Sequence, residues 1–187
     1  MNAVVLGLGS NRQLESGGSV LSPAEILKAA CEKLDKLLKQ AVFSSVYMTR
    51  PMYVEDQCDF YNMVVGGLWE GTARELLCAT QAIEAELGRN HSREIRNGPR
   101  SLDIDIELFG NSSVSEPDLV IPHPRLMERS FVLVPLLEIL GKPADKTERE
   151  CNAFLAAAPD AAALMEAQAN LPDQGVRYYG RIYGKNR

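Results

Sequence analysis

The sequence predicts an α+β domain with a ferredoxin-like β-α-β-β-α-β core, a mainly antiparallel sheet and additional C-terminal helices. Three observations carry this prediction. Residues 102–108 alternate apolar and acidic side chains, the period of a strand with one buried face. Capping boxes at Ser22 and Thr72 mark the starts of two helices. Strand-like runs stand before, between and after these helices in the order that the ferredoxin-like arrangement requires.

The composition is that of an ordinary globular domain. The 187 residues are 45% hydrophobic and 24% charged, with a net charge of −5, so we expect no broad electrostatic attraction to nucleic acid or membranes. No apolar run approaches the roughly 20 residues that span a bilayer, and the N-terminus lacks the pattern of a signal peptide. The four cysteines form no Cys-x-x-Cys pair. We expect reduced thiols, mostly core filler, in a cytoplasmic protein.

The N-terminal region is predicted to form a strand, a loop and a helix. Ala3–Leu8 is an apolar run that ends in Gly9-Ser10-Asn11. That tripeptide indicates either a plain turn or a backbone cradle for phosphate. Residues 12–21 are predicted to form a mobile loop. The capping box Ser22-Pro23-Ala24-Glu25 then opens a helix that ends near Gln40.

Two strands and a second helix follow. Ala41–Thr49 and Phe60–Trp69 are rich in β-formers, and we expect them to pair antiparallel. Asn62 lies among apolar residues of the second strand, so its amide must be satisfied by backbone or by a ligand. Thr72-Ala73-Arg74-Glu75 opens the second helix, which closes at Gly88.

The acidic strand is the most informative stretch. Its side chains are predicted to divide between two faces: Asp103, Asp105 and Glu107 on one, Leu102, Ile104, Ile106 and Leu108 on the other. Acids on the wet face of a surface strand would explain the pattern. A metal site explains it better, because Asp is a poor strand former and like charges repel unless a cation lies between them. Paired carboxylates with substrate phosphates suit Mg²⁺.

Basic residues flank this strand in the sequence. Four arginines, Arg89, Arg93, Arg96 and Arg100, occur within twelve residues of an acidic protein. They indicate either a solvated loop or an anion clamp, and the neighbouring acids favour the clamp. His123 stands between two prolines that restrict its backbone. It is either structural or part of the site.

The remaining sequence predicts a loop at Asn111–Asp118 and then mainly helices. Ser130–Leu140 is an apolar helix with Pro135 within about the first turn, where proline is tolerated. Thr147-Glu148-Arg149-Glu150 opens a short helix to about Ala157. Ala161–Ala169 is predicted to be helical, and Val176–Tyr183 to add an edge strand.

Four separated motifs now coincide: Leu8-Gly9-Ser10-Asn11, Tyr47 to Asn62, Gly88-Arg89 with Gly98 to Asp105, and Pro122-His123-Pro124 with Arg129 to Phe131. In this order and spacing the chain closely resembles the 6-hydroxymethyl-7,8-dihydropterin pyrophosphokinase family over residues 3–140. The resemblance implies transfer of pyrophosphate from ATP to 6-hydroxymethyl-7,8-dihydropterin in folate biosynthesis, with AMP released. It implies a pyrophosphokinase domain at residues 1–158 and a C-terminal extension at 159–187, packed on that domain or trailing it.

The resemblance also implies roles for individual residues. Asp103 and Asp105 would hold two Mg²⁺ ions. Arg89 and Arg100 would join them as catalytic residues at the phosphates. The implied ATP-binding set is Glu84, Arg89, Arg100, Ile104, His123 and Arg129. The implied pterin-binding set is Thr49, Met52, Phe60, Asn62 and Phe131, with the pterin stacked between the two aromatic rings.

The chain departs from the family pattern at several positions. Glu107 extends the acidic face where family members usually carry an apolar residue, and Pro124 stands where some have Tyr. The expected partners are the two small-molecule substrates, with no nucleic acid and no membrane, in a monomer or weak homodimer. Two rival hypotheses are another two-metal phosphoryl or nucleotidyl enzyme and a ferredoxin-like RNA-binding module, against which the acidic strand argues.

Overall fold

The computed structural model describes residues 1–51, 56–89, 98–141 and 161–184. Met52, Arg93, Arg96 and the helix predicted after Thr147 lie outside the described residues. The helices are α1 (Pro23–Leu37), α2 (Ala73–Glu86), α3 (Ser130–Leu140) and α4 (Ala161–Asn170), with a 3-10 turn at Leu126–Glu128. The strands are β1 (Asn2–Ser10), β2 (Leu14–Ser16), β3 (Ser19–Leu21), β4 (Lys39–Phe43), β5 (Val46–Thr49), β6 (Phe60–Trp69), β7 (Asp103–Phe109), β8 (Val114–Glu116), β9 (Leu119–Ile121) and β10 (Arg177–Gly180).

The central sheet is antiparallel at every pairing that the structure describes. Its order is β10-β5-β6-β1-β7, and β4 also pairs with β6. The predicted single strand at 41–49 is therefore two strands. It is interrupted at Ser44, whose hydroxyl accepts the Val64 N–H at 2.9 Å. The Ser44 hydroxyl thus replaces a backbone carbonyl as the acceptor for the Val64 N–H, and the ladder of backbone hydrogen bonds is interrupted there.

Helices cover both faces of the sheet. On one face α1 and α2 pack on Val4, Leu6 and Leu8 of β1, and on the other α3 and α4 pack on Val5 and Val64. The alternation along β1 follows from the period of a strand. Leu164 of α4 is fully buried in the second cluster, so the predicted C-terminal helix is part of the core.

The two predicted capping boxes that fall within the described residues, at Ser22 and Thr72, are present. The Ser22 hydroxyl accepts the Glu25 N–H at 3.4 Å while the Glu25 carboxylate accepts the Ser22 N–H at 2.8 Å. Thr72 and Glu75 repeat the arrangement at α2. Helix α1 ends at Leu37 rather than near Gln40, because strand β4 begins at Lys39 and pairs with β6.

Two predicted loops contain hairpins instead. Residues 12–21 include β2 and β3, joined by Gly17 and Gly18 with φ of 58° and 82°. Two consecutive residues at positive φ are what a tight I′ hairpin turn requires, and glycine supplies them. The loop predicted from Asn111 to Asp118 likewise contains β8, which pairs with β9.

Strand β7 carries an irregularity that the alternation did not predict. Its register on β1 shifts: Ile106 pairs with Leu6, but Leu108 pairs with Val5. Glu107 is thus the extra residue of a β-bulge, after which the facing of side chains reverses. Leu108 packs in the α3 cluster rather than with Ile104 and Ile106, which corrects the prediction for that residue.

Helix α3 has the predicted bounds, Ser130–Leu140, but Pro135 is its sixth residue and lies in the second turn rather than the first. It lacks the N–H that would bond to the Phe131 carbonyl. The edge strand is confirmed as β10, which pairs with β5. Of the three cysteines in the described ranges only Cys31 is buried, while Cys58 and Cys78 are exposed. No helix among the described residues has the length and apolarity needed to cross a bilayer.

Candidate active site

One cavity collects most of the predicted site residues. It lies on the α3 face of the sheet, where β1, β6 and β7 run side by side and the N-terminus of α3 approaches them. Asp103, Asp105 and Glu107 line it from β7. The remaining lining includes Thr49, Phe60, Asn62, Arg100, Arg129 and Phe131. The two aspartates therefore share one face and one cavity with both predicted stacking rings.

Two glycines of β1 make the floor of this cavity. Gly7 and Gly9 alternate with apolar residues, so both face the cavity side of the sheet. A Cβ on Gly9 would come within 3.2 Å of the Asn62 side-chain oxygen, and one on Gly7 within 2.8 Å of Glu107 Oε1. The open floor thus depends on the absence of side chains here, a use of glycine that permits close approach.

Asp103 is clamped by two arginines. Arg89 Nη1 donates to Asp103 Oδ1 at 2.5 Å, and Arg100 Nη1 donates to Asp103 Oδ2 at 2.5 Å. Arg89 also donates to the Leu102 carbonyl at 2.8 Å. Burial alone would raise the pKa of Asp103, but the two guanidinium groups outweigh it and lower that pKa. The carboxylate is therefore ionised and ready to face a cation.

Asp105 has a different environment. Arg129 Nη1 donates to its Oδ2 at 3.0 Å, and 39% of its side chain is exposed to the cavity side. Burial among its neighbours and the charge of Asp103 raise the pKa of Asp105, against the effect of Arg129. Two adjacent carboxylates with opposite shifts are the arrangement expected when like charges share a site.

Glu84 and Ile104 hold strand β7 against helix α2. The Glu84 side chain is 4% exposed, and its Oε1 accepts the Ile104 N–H at 2.8 Å. Burial raises the pKa of Glu84 to about 7, although Arg89 at 3.5 Å opposes the shift. The Ile104 side chain packs in the core formed with α1 and α2. Both residues were predicted at the ATP site, and neither is among the residues that line this cavity.

His123 lies between the acidic strand and Arg129. Its backbone N–H donates to the Glu107 carbonyl at 2.9 Å, and its Nδ1 accepts the Arg125 N–H at 3.1 Å. The ring's Nε2 is 3.5 Å from Arg129 Nη1 and 3.9 Å from Asp105 Oδ2. Burial and then Arg129 lower the pKa of His123 to about 4. The imidazole is neutral at pH 7 beside the site.

The pterin-binding prediction falls at the other end of the cavity. Asn62 Nδ2 donates to Thr49 Oγ1 at 2.9 Å, and both side chains are buried. The sequence left open whether backbone or a ligand satisfies the Asn62 amide. In the structure a third kind of partner, the Thr49 side chain, does so. Phe60 and Phe131 line the same cavity, and the Arg129 guanidinium lies 5.5 Å from the Phe131 ring centre. An apolar slot with amide and hydroxyl groups suits a flat polar heterocycle.

The Gly9-Ser10-Asn11 segment, predicted as a turn or a phosphate cradle, is the end of β1 and the residue after it, and it organises the segment that precedes the acidic strand. Asn11 Oδ1 accepts the Arg100 N–H at 2.8 Å, and the Asn11 N–H donates to the Arg100 carbonyl at 3.1 Å. Ser10 Oγ donates to the Ser101 carbonyl at 2.5 Å. These bonds set the backbone from which Arg100 reaches Asp103, so the end of β1 acts on the site through Arg100.

Sequence reasoning missed several residues that line the cavity, among them the polar residues Arg50 and Gln57. Gln57 Oε1 accepts from Asn11 Nδ2 at 3.0 Å, a contact between distant parts of the chain that no local pattern could predict. Arg50 directly follows the end of β5 and precedes Pro51. A proline at this position indicates that the strand ends here. The proline was the sequence signal that could have drawn attention to Arg50.

The acidic pair fits a divalent cation by its donor chemistry. Asp103 and Asp105 present carboxylate oxygens on one strand face, and oxygen donors are those that Mg²⁺ prefers. Within the ranges described, no three His, Cys, Asp or Glu groups converge in ligating geometry. Two carboxylates whose shell is completed by water and substrate phosphates are the usual protein contribution to Mg²⁺.

Comparison with known proteins gives a consistent result. Residues 5–141 match the family model of 7,8-dihydro-6-hydroxymethylpterin-pyrophosphokinase (HPPK). The 2-amino-4-hydroxy-6-hydroxymethyldihydropteridine pyrophosphokinase of Bacillus subtilis is 50% identical over 96 residues, covering 51% of this chain and 56% of that protein. The Pseudomonas aeruginosa protein of the same name is 35% identical over 145 residues, covering 76% of this chain and 88% of its own.

A fungal relative and a solved structure show longer proteins. The folic acid synthesis protein fol1 of Pneumocystis carinii is 40% identical over 139 residues, covering 74% of this chain but 18% of its own. The chain therefore spans less than two thirds of this relative and of the Bacillus one. A crystal structure of a Plasmodium falciparum HPPK-DHPS triple mutant with STZ-DHP matches 73% of this chain and 38% of its own, with a TM-score of 0.51 and 16% identity. That likeness concerns the fold.

Proposed function

Since this chain belongs to the 7,8-dihydro-6-hydroxymethylpterin-pyrophosphokinase family, we propose that it transfers the terminal pyrophosphoryl group of ATP to 6-hydroxymethyl-7,8-dihydropterin in folate biosynthesis. The hydroxymethyl oxygen forms a bond to the β-phosphorus, and the bond from that phosphorus to the AMP oxygen breaks. The products are AMP and the pterin diphosphate, with the hydroxyl proton released. The observation that carries the proposal is that one cavity holds the aspartate pair, Arg100, Phe60 and Phe131 together.

The acidic pair would hold Mg²⁺, two ions by our proposal, at Asp103 and Asp105. Bound there, Mg²⁺ supplies neutralisation of the polyphosphate and a lowered pKa for a coordinated hydroxyl. Asp103 is already ionised because Arg89 and Arg100 stabilise its charge. These arginines are the counterions of Asp103 in the protein alone, and they are placed to meet substrate phosphates beside it.

Arg89, Arg100 and Arg129 would bind and orient ATP. All three side chains are at most 17% exposed and point to the acidic strand. A planar guanidinium gives a phosphate two donors in fixed geometry, which favours in-line placement of the β-phosphorus. His123, neutral at pH 7, contributes a hydrogen-bonding group without adding charge. Glu84 and Ile104 would complete the ATP-binding set, with the Glu84 carboxylate accepting the Ile104 N–H.

Phe60, Phe131, Asn62 and Thr49 would bind the pterin. Stacking between aromatic rings supplies affinity for a flat ring system, and a buried amide supplies specificity. The mutual hydrogen bond of Asn62 and Thr49 holds the amide in one orientation before the substrate arrives. A substrate held there has its hydroxymethyl group directed along the floor of Gly7 and Gly9 toward the aspartates.

The finer parts of the description belong to the same proposal. The strand order β7-β1-β6-β4/β5, with α1 and α2 on one face, supports a ferredoxin-like core. Residues 1–158 would form the catalytic domain with 159–187 packed on it, as the burial of Leu164 supports. The expected setting is a cytoplasmic monomer or weak homodimer without nucleic acid or membrane partners, for which the net charge of −5 is the support.

The nucleotide product tests the proposal. Incubation with ATP, Mg²⁺ and 6-hydroxymethyl-7,8-dihydropterin should yield AMP in step with the pterin diphosphate, as resolved by chromatography. ADP would indicate a simple kinase, and free pyrophosphate a nucleotidyl enzyme; either in place of AMP refutes the proposal. Omission of the pterin is the control, because AMP formed without it comes from hydrolysis.

A further inference from the structure

The C-terminal segment lies outside the family-matched residues 5–141 but contacts the site. We infer that Gln174 is a positioning residue that sets the placement of Arg129 and Phe131. It does so through an amide clasp on the two peptide units flanking Arg129. The inference rests on the proposed function, since it concerns how that site is held.

The clasp consists of two hydrogen bonds. Gln174 Oε1 accepts the Ser130 N–H at 2.9 Å, and Gln174 Nε2 donates to the Glu128 carbonyl at 2.9 Å. Ser130 and Glu128 are the residues on either side of Arg129. A single side-chain amide therefore fixes the backbone both before and after the arginine, which leaves Arg129 little freedom to rotate about its own Cα.

Helix α3 obtains from Gln174 a cap that its own sequence does not provide. Arg129 occupies the N-cap position and makes no capping hydrogen bond with its side chain. The first N–H groups of a helix need acceptors from elsewhere. The Gln174 oxygen supplies one for Ser130, and so defines where α3 begins and where Phe131, its second residue, stands.

The clasp affects both the acidic side and the pterin side of the cavity, through the adjacent residues Arg129 and Phe131. Arg129 donates to Asp105 at 3.0 Å on the acidic side. Its guanidinium also lies 5.5 Å from the centre of the Phe131 ring, on the pterin side. A shift at this helix start would displace an arginine and an aromatic ring together. Misplacement of a binding group by about 1 Å can cost about 100-fold in rate.

Gln174 is itself held by anchored elements on either side. Helix α4 precedes it and buries Leu164 in the core beneath α3. Strand β10 follows it and pairs with β5, where Arg177 is opposite Met48. Arg177 also donates to Asp59, next to Phe60, at 2.6 Å. The segment between α4 and β10 is thus tied down at both ends, so its amide can act as a fixed support.

A helix cap alone would affect stability and leave the site intact, so the experiment has to separate the two. Gln174→Met removes both hydrogen bonds at similar length, and Gln174→Glu keeps an acceptor for Ser130 while losing the donor to Glu128. Asp173→Ala is the matched control, because Asp173 Oδ1 accepts only the nearby Gly175 N–H in the contacts described. All variants are full-length chains compared with wild type in the AMP assay and in thermal unfolding.

We expect kcat/KM to fall about tenfold in Gln174→Met, less in Gln174→Glu, and not at all in Asp173→Ala. In an Arg129→Ala background Gln174→Met should cost less, because one of the two residues through which it acts is absent. Equal losses in both backgrounds, or a Gln174→Met enzyme with wild-type kcat/KM, would overturn the inference.

A spectroscopic readout keeps this test separate from that of the proposed function. The Arg129 Nη–H resonances in NMR report the pairing of Arg129 Nη1 with Asp105, and they should shift in Gln174→Met but not in Asp173→Ala. An unshifted resonance overturns the positioning role whatever the activity. A wild-type protein that makes no AMP refutes the proposed function alone.

Discussion

The carboxylate of Glu107 lies against the backbone of Gly7: a Cβ on Gly7 would stand 2.8 Å from Glu107 Oε1. Glu107 is fully buried, and neither of its side-chain oxygens has a hydrogen-bond partner among the described residues. A glycine and a buried acid therefore share the floor of the cavity. Each of these two residues therefore limits which side chains can be accommodated at the position of the other.

Gly7→Ala should destabilise the protein because the new methyl group overlaps the Glu107 carboxylate. We expect a loss of about 1–3 kcal/mol in the free energy of unfolding, the range for overpacked interiors. The measurement is urea unfolding of Gly7→Ala in wild-type and Glu107→Ala backgrounds. The penalty should shrink when the carboxylate is gone, and an unchanged penalty would show that the clash lies elsewhere.

Glu107→Gln should change how stability depends on pH. Burial, and then the charge of Asp105, raises the pKa of Glu107 from 4.5 to about 8. The folded state therefore binds this proton more tightly than the unfolded state, and its contribution to stability is lost as pH rises from about 5 through 8. Glutamine cannot ionise, so the variant should gain on wild type by up to a few kcal/mol at pH 8.5 and little at pH 5.

The comparison is made on metal-free protein in EDTA, by urea unfolding at both pH values. The difference between variant and wild type reports Glu107 together with the effect of its charge on its neighbours, among them His123, whose Nδ1 lies 3.8 Å from Glu107 Oε2. Glu166→Gln, at an exposed carboxyl on α4, is the matched control and should track wild type. A constant difference across pH would contradict a buried, proton-binding Glu107.

Asp103→Asn and Asp105→Asn should each lower AMP formation by at least about 100-fold, the scale for removing one preorganised charge contact. Asparagine keeps the shape of the side chain, so near-native circular dichroism is expected. Asp118→Asn is the control: it alters an exposed aspartate that pairs with Arg74 at 2.6 Å, away from the cavity. Near-wild-type turnover in either site variant would remove the metal role from that residue.

Phe131→Ala should weaken pterin binding more than ATP binding. The ring lines the cavity beside Phe60, and loss of an aromatic stacking partner costs about 1 kcal/mol or more, roughly tenfold in affinity. Calorimetry with each ligand makes the comparison within one variant, so ATP serves as the internal control. Equal weakening of both ligands would point to a displaced α3 instead of lost stacking.

Much of the fold could be predicted because its signals are local. The capping boxes at Ser22 and Thr72 and the apolar stripes behind them involve residues three or four apart, and α3 has the predicted bounds. The hairpin at Gly17-Gly18 was missed although its turn signal is present, because three-residue strands are too short to show a period. The break at Ser44 depends on Val64 in another strand, so no local pattern reveals it.

The site residues likewise divide into those that a local sequence pattern predicts and those that depend on contacts between distant parts of the chain. Asp103 and Asp105 could be assigned to one face because a strand alternates by geometry, and the structure brings them into one cavity with Phe60 and Phe131. The alternation assigned Leu108 to the wrong face, because the β-bulge at Glu107 reverses the facing of the residue after it. That bulge arises from the register of β7 on β1, which the local sequence does not show. Glu84 and Ile104 were assigned to the nucleotide site on resemblance, and that assignment stays a prediction; their mutual hydrogen bond depends on the contact of α2 with β7, which no local pattern reveals.

The sequence by itself determined the order of elements, the acidic face of β7 and the motifs that identify the family, because these depend on neighbours along the chain. Only the tertiary structure decided which arginines clamp Asp103, why Gly7 must lack a side chain, and that Gln174 holds the backbone around Arg129. Those contacts join residues between 3 and more than 90 positions apart. Packing fixes their geometry, and the spacing of residues along the chain does not specify it.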